Sequence, residues 1–215
     1  MNFFEYVGEN SERITFLLIQ HVQVVLLAVA IATVISVALA IGTERSPRTR
    51  SAALSVTGTI LTIPSFALFG LMIPIFGLGV IPTILALTVY AIFPILRNTV
   101  TGLESVDAAV VDAARGMGMG HWQRLRLVRL PLAWPVILNG VRVATIMVVA
   151  IAAIGAAVRG PGLGELIFRG LSRMGGANAL NEALSGVVAI VLVAVILDAL
   201  FVIIGKLTTP RGLHV

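Results

Sequence analysis

The sequence has 215 residues, of which 58% are hydrophobic and 12% are charged, and its net charge is +5. A soluble domain carries about 25% charged residues, so this composition excludes a water-soluble globular fold and predicts one all-α integral membrane domain over residues 1–215. Long unbroken apolar runs argue against a membrane β-barrel, and basic residues at the ends of those runs indicate membrane orientation rather than nucleic-acid binding.

Five apolar runs approach or exceed the roughly 20 residues that a bilayer-spanning helix needs. A polar stretch over residues 1–13 precedes them and is predicted to form a short helix or arm at the outer membrane surface. The runs cover residues 14–41, 52–76, 80–96, 136–158 and 184–204. Because proline removes a backbone donor, Pro64 and Pro74 are expected to kink or split the second run. The third run is expected to stop at Arg97 and Asn98.

Basic residues are distributed unequally between the two predicted membrane faces. One face holds Arg45, Arg48, Arg50, Arg97, Arg115, Arg124, Arg126, Arg129, Arg142, Lys206 and Arg211, and the other holds Arg13, Arg159, Arg169 and Arg173. The positive-inside rule therefore predicts an external N-terminus and a cytoplasmic C-terminus. Residues 98–135 become a cytoplasmic loop and residues 159–183 a glycine-rich external loop. A re-entrant segment within residues 159–183 is the main alternative to five spans.

Several kinds of chemistry lack their residues in this chain. His21, His121 and His214 have no ligand partner at helical spacing, so no metal site is expected. The only lysine, Lys206, is followed by leucine, which excludes a P-loop and predicts that the chain does not hydrolyse ATP itself. Asp198 is the one acid deep in a predicted span, where such residues are functional candidates. A hydrogen bond to a neighbouring helix is the favoured interpretation, and proton transport is the alternative.

The longest polar interruption, residues 111–135, lies in the predicted cytoplasmic loop. Residues 106–117 are predicted to form a short helix, which Gly116 and Gly118 would end by reversing the chain. A second, basic helix over residues 122–130 would then lead through Pro131 into the fourth span. From these features alone, the segment is either a rigid docking surface for a soluble partner or an amphipathic hairpin on lipid headgroups.

The spacing within this segment resembles the EAA loop of permease subunits of binding-protein-dependent ABC importers. That family pattern is Glu-Ala-Ala, three residues, Gly, nine residues, then Ile-x-Leu-Pro. The matching positions here are Asp112, Ala113, Ala114, Gly118, Val128, Leu130 and Pro131. The resemblance implies a type I importer permease fold, and it implies that Asp112, Ala113, Ala114 and Gly118 contact a cytoplasmic ATPase. Arg115, Gly116, Leu130 and Pro131 would belong to the same ATPase-coupling segment. The sequence departs from the pattern by aspartate in place of glutamate at position 112 and valine in place of isoleucine at position 128.

Further stretches, among them LTIPSFALFGLMIPIFGLG and VRGPGLGELIFRGL, resemble the osmoprotectant branch of that family. The resemblance implies a multi-pass subunit of a bacterial or archaeal plasma (inner) membrane that imports glycine betaine, carnitine, choline or proline betaine. Its implied partners are ATPase subunits that carry ATP and magnesium, a second identical or homologous permease subunit, and an extracytoplasmic substrate-binding protein. No cofactor is expected in this chain.

Substrate recognition leaves few signals in the sequence. Quaternary ammonium groups bind in aromatic cages, but both tryptophans, Trp122 and Trp134, fall on the predicted cytoplasmic side. Recognition is therefore expected in the external binding protein. Candidate path-lining residues are Ser65, Phe66, Asn98 and Thr99, with helix packing as the alternative for each. The rival functions are import of methionine or another amino acid and, less favoured, ion-driven secondary transport.

Overall fold

The computed structural model describes residues 1–209, and this part of the chain is helical without strands. Arg211 and His214 lie outside the described residues. The α-helices are α1 (Phe3–Glu9), α2 (Ser11–Thr43), α3 (Pro47–Leu61), α4 (Ser65–Phe76), α5 (Val80–Glu104), α6 (Ala108–Gly116), α7 (His121–Arg124), α8 (Leu130–Ile154), α9 (Gly164–Ser172) and α10 (Ala179–Thr208). A π-helix over Leu125–Arg129 joins α7 to α8, and a 3-10 helix over Gly155–Val158 follows α8.

Four helical segments of the described chain are long and apolar enough to cross a membrane singly. They are α2, α5, the continuous helix His121–Val158 and α10, and the bent pair of α3 and α4 makes a fifth candidate. The prediction of about five spans is confirmed in this sense. The short helix expected within residues 1–13 is α1, and α2 already begins at Ser11, before the predicted start of the first span.

The second span is broken at Pro64. Helices α3 and α4 meet there at 95°, because proline lacks the donor that would continue the ladder. The Tyr90 hydroxyl of α5 donates to the Ile63 carbonyl at 2.5 Å, which satisfies one carbonyl exposed by the break. Pro74 does not split the run, because it lies within α4 and the helix continues to Phe76.

Helix α5 continues to Glu104, so the prediction that it stops at Arg97 and Asn98 was wrong. Val100 and Leu103 remain buried one and two turns beyond that pair, while Arg97 and Glu104 lie on the exposed face. Arg97 marks the outer face of the helix, and Asn98 packs against α8 at Gly140. Burial of the apolar face is sufficient to keep the segment helical.

Helix α5 lies at the centre of the bundle, in contact with α2, α3, α4 and α8. Close approach to α8 depends on small residues. A Cβ at Gly140 would stand 2.5 Å from the Cβ of Asn98, and one at Gly102 would stand 3.0 Å from the Ala133 carbonyl oxygen. A main core of α2, α5, α8 and α10 residues fills the middle of the bundle. A smaller second core contains Leu96, Leu125, Ile137 and their neighbours.

Ion pairs define the two ends of the bundle. At one end Arg13 bonds Glu165 at 2.8 Å and Glu182 at 3.2 Å, which joins the start of α2 to α9 and the start of α10. At the other end Arg129 pairs with Glu44, and Trp134 donates to the Thr208 hydroxyl at 2.8 Å. We call the end with Arg13 the α9 end. The end with Glu44, which carries the segment 107–130, is called the hairpin end.

The start of α2 and the end of α10 therefore lie at opposite ends of the bundle, as five spans require. The nine residues of α9 rise only about 14 Å, too little to span a membrane, and they pack on α10 at the α9 end. Which of the two ends faces the cytoplasm stays a prediction from the positive-inside rule.

Candidate coupling surface

Helix α6 projects from the hairpin end and is exposed along most of its length. Asp107 precedes the helix, and its carboxylate accepts from the Ala109 amide at 2.9 Å. This N-cap satisfies one of the amides that have no partner in the first turn. We call residues 107–130, which include α6, the turn, α7 and the π-helix, the hairpin.

The predicted coupling residues share this hairpin but do not share one face. Five of them are exposed to solvent on its outer side: Asp112, Ala113, Arg115, Gly116 and Gly118. Ala114 is 2% exposed and packs inward. Its side chain therefore seats α6 on the subunit, and the implied direct contact between Ala114 and an ATPase does not fit this placement.

The chain reverses at Gly118, which has φ +83°, a conformation that L-residues with a side chain rarely adopt. Its amide donates to the Arg115 carbonyl at 2.9 Å, and the Met119 amide donates to the Ala114 carbonyl at 3.2 Å. Arg124 closes the turn by donating to the Met119 carbonyl at 2.6 Å. Gly116 was also expected to reverse the chain, but it remains the last residue of α6.

The return segment of the hairpin is continuous with the fourth span, whereas a separate second helix was expected. The Leu130 amide donates to the Leu125 carbonyl across the wider π-turn. Pro131 follows directly after this π-turn, which accommodates its missing donor. Leu130 is half-buried and Pro131 is exposed. The helix consequently runs without interruption from His121 to Val158.

Two kinds of contact hold the hairpin on the bundle. Leu125 is buried in the smaller core. Arg129 pairs with Glu44 at the end of α2 and donates to the Leu103 carbonyl near the end of α5 at 2.9 Å. A neighbouring pair, Arg50 with Glu104, joins α3 to α5. Sequence reasoning missed Glu44 and Glu104, although an acid at the end of an apolar run beside several arginines is a usable signal.

The exposed surface of the hairpin is basic and partly apolar. Arg126 lies 5.9 Å from the centre of the Trp122 ring, within cation–π range. Met117 is 71% exposed and Val110 is also exposed. The exposed side of the hairpin therefore presents small, apolar and charged side chains together, while its inner side packs on the bundle. This arrangement can bind a protein surface and contains no nucleophile or acid–base pair.

The four candidate path residues separate into two pairs. The Thr99 hydroxyl is buried and donates to the Ile95 carbonyl at 2.8 Å, and the Asn98 amide donates to the Pro94 carbonyl at 2.8 Å. Both contacts favour the helix-packing interpretation. Ser65 and Phe66 begin α4 just after the break, and the Phe66 ring is 63% exposed.

Asp198 forms a two-point ion pair with Arg142, at 2.6 and 2.7 Å. Pairing with a neighbouring helix was the favoured expectation for this acid. The expectation that Arg142 lies at a helix end was wrong, because it lies at the middle of α8. In residues 1–209 no three His, Cys, Asp or Glu side chains are grouped as metal ligands. The His21 ring is buried, with its Nε2 atom 3.1 Å from the Val149 carbonyl.

Comparisons with known proteins agree with this architecture. Residues 32–211 match the profile of the family described as "Binding-protein-dependent transport system inner membrane component". The osmoprotectant import permease protein OsmW of Salmonella typhimurium is 38% identical over all of both chains. The glycine betaine/carnitine/choline transport system permease protein OpuCB of Bacillus subtilis is 31% identical over 97% of this chain and 94% of its own.

Among solved structures, a chain of the MetNI methionine ABC transporter superposes with a TM-score of 0.80. It covers 92% of this chain and 96% of that one at 23% identity. At that identity the likeness bears on the fold alone.

Proposed function

Because the chain belongs to the family of binding-protein-dependent transport system inner membrane components, we propose that it is the permease subunit of an ATP-driven importer of osmoprotectants. The substrates are quaternary ammonium compounds such as glycine betaine, carnitine, choline and proline betaine. Full-length similarity to permeases named for osmoprotectants, glycine betaine, carnitine and choline supports this substrate class. The subunit is a multi-pass membrane protein.

The hairpin is the coupling element of this subunit. A cytoplasmic ATPase receives α6, and Asp112, Ala113 and Met117 make the contact while Ala114 and Leu125 fix α6 to the bundle. ATP and magnesium are bound by that partner. A second permease subunit completes the membrane unit, and an extracytoplasmic binding protein delivers substrate at the α9 end.

Motion is transmitted through the helix from His121 to Val158. When the ATPases close on ATP, the hairpin moves with them and tilts this helix against α5. The contact at Gly140 and Asn98 is tight enough to carry α5 along. The subunit thereby alternates between openings at its two ends and performs no covalent chemistry itself.

The single observation that carries the coupling role is an exposed α6 seated by buried Ala114 and by the Arg129–Glu44 pair. The test uses the assembled transporter in proteoliposomes, with ATP inside and labelled glycine betaine and choline outside. Asp112→Arg should lower ATP-dependent uptake at least tenfold. The arginine would be buried at the docking surface either without a partner or against another positive charge, and both weaken docking.

Asp112→Glu is the matched control, since it keeps a carboxylate at the same exposed position of α6. It should leave uptake within about twofold of wild type. Uptake and substrate-stimulated ATP hydrolysis that are unchanged in Asp112→Arg would refute the coupling role. Uptake of an amino acid but of no quaternary ammonium compound would refute the substrate class, and uptake on an ion gradient without ATP would identify a secondary carrier.

A further inference from the structure

An open groove of about 540 Å³, with an apolar wall that carries hydroxyls and one arginine, lies between α3 and α5 on the hairpin side of the break at Pro64. Its lining residues are Leu54, Ser55, Gly58, Thr59, Thr62, Phe93 and Arg97. Arg97 is seven residues before the end of α5, so its Cα lies roughly 10 Å from that end. The groove therefore lies about two turns from the hairpin end of α5, on the side of the subunit that α3 covers.

The surface around this groove is poorly suited to lipid. No residue of α3 is buried within the subunit, and Ser55, Thr59 and Thr62 are exposed along it. Arg97 takes part in none of the ion pairs found within residues 1–209. An arginine on an apolar helix of a membrane protein normally faces water or an anionic partner. The α3–α4 break beside the groove is likewise tolerated only where protein or water covers it.

The two ends of the groove offer opposite kinds of binding. Phe93 presents an aromatic ring, which attracts a quaternary ammonium group. Arg97 presents a guanidinium, which binds a carboxylate through charge-assisted hydrogen bonds. The two residues are four apart on α5, so their Cβ atoms lie about 5–6 Å from each other. Glycine betaine carries its ammonium nitrogen and its carboxylate on either side of one methylene, a separation that this spacing accommodates.

Gly58 shapes the floor of the groove. A Cβ at Gly58 would stand 3.0 Å from the Phe93 ring, so the absence of a side chain lets the ring lie close against α3. Hydroxyls of Ser55 and Thr59 line the same wall. The groove is thus shaped by α3 and charged by α5, and neither helix alone would make it.

We propose that this groove is a substrate-binding site on the translocation path, in which Arg97 selects zwitterionic betaines over choline. The proposal rests on the proposed function and assigns part of the selectivity to this subunit. A betaine gains a carboxylate contact at Arg97. Choline has no carboxylate, and its cationic group is repelled by the guanidinium.

The test measures uptake of glycine betaine and of choline by the assembled transporter in ATP-loaded proteoliposomes. Arg97→Gln should raise the KM for glycine betaine about tenfold or more, the usual consequence of losing a charge-assisted bond. The same variant should leave choline uptake unchanged or increase it. Arg97→Lys keeps the charge and should retain most of the preference. Phe93→Leu should weaken uptake of both substrates.

Arg48→Gln is the matched control, because Arg48 is an exposed arginine at the start of α3, away from the groove. It should change neither substrate. Choline uptake by Arg97→Gln shows that the variant assembles. Equal losses for both substrates, or no change in either, would overturn the proposal and leave Arg97 as a packing or lipid-contacting residue.

A wild-type transporter that carries choline but not glycine betaine would overturn the selectivity while leaving the proposed function intact. Uptake of neither compound would refute the proposed function itself.

Discussion

Gly140 is a residue at which α8 comes too close to α5 for any side chain. A Cβ there would stand 2.5 Å from the Cβ of Asn98 and 3.1 Å from the Pro94 carbonyl oxygen. The polar residue Asn98, expected either to line a path or to pack, is fixed by this approach. Its amide turns back to its own helix instead of toward a substrate.

Gly140→Ala should destabilise the subunit by about 1–3 kcal/mol, because the added methyl forces the two helices apart. The measurement is the thermal unfolding midpoint of the purified protein in detergent. Gly42→Ala provides the control, since Gly42 is helical and a Cβ added there would meet nothing within 4 Å. That change should be neutral or slightly stabilising, given the better helix propensity of alanine. An equal midpoint for both variants would contradict the packing argument.

Asp107 is the cap on which the nine-residue helix α6 depends. Helices of this length are marginal by themselves, so Asp107→Ala should weaken α6 by about 1 kcal/mol. Hydrogen exchange at the α6 amides should accelerate severalfold and coupled uptake should fall. Asp107→Ser retains a capping oxygen and should restore both. Slow exchange in the alanine variant would show that the cap is dispensable.

At the scale of elements, Arg142 and Asp198 connect the middle of α8 to α10. Asp198 is ten residues before the end of α10, which places it roughly 15 Å from that end. Both side chains are about one third exposed on the subunit surface, and between apolar helices an unpaired charge is costly. The two-point geometry at 2.6 and 2.7 Å satisfies both groups.

Asp198→Asn should therefore lower the thermal unfolding midpoint of the subunit, since it leaves the Arg142 charge without its partner. The double variant Arg142→Asp with Asp198→Arg exchanges the two charges and should recover much of the lost stability. For each variant, the measurements are the yield of assembled transporter and the thermal unfolding midpoint. If instead the single variant is stable and loses only ion-dependent uptake, Asp198 acts in proton transfer rather than in helix pairing.

Much of the membrane frame could be predicted from apolar run length, and the family resemblance from the spacing of Asp112, Gly118 and Pro131 is confirmed. The misplaced end of α5 has a physical cause. Arg97 and Asn98 are polar and end the apolar run, but Val100 and Leu103 are buried on another face of the same helix. The length of an apolar run does not distinguish the end of a helix from a polar position on one of its faces. Pro131 was expected to separate two helices, but the π-turn before it accommodates proline. Contacts between distant residues, such as Arg129 with Glu44, could not be assigned from spacing alone.

At the scale of the whole molecule, the orientation of the bundle is directly testable because the chain contains no cysteine. In the permease expressed without its partner subunits, Met117→Cys and Met174→Cys place single thiols at exposed positions on the hairpin and in the 159–183 loop. In intact cells a membrane-impermeant maleimide should label only the second, and in inverted vesicles only the first. The opposite pattern would reverse the orientation predicted from the arginines. Labelling of both in intact cells would point to leakage or to mixed insertion.

The unbroken helix from His121 to Val158 has 38 residues and is therefore roughly 57 Å long. It begins within the hairpin, and near its far end the Val158 carbonyl accepts from the Gly79 amide at 2.8 Å, where α5 starts. Moving as one body, this helix acts as a lever, and the π-turn at Leu125–Arg129 and Pro135 are the positions at which it can bend. A tilt of about 5° about its middle would shift each end by about 2.5 Å in opposite directions, by the same rise per residue. Opening at one face of the membrane and closure at the other would then be a single movement, with no interval in which both are open.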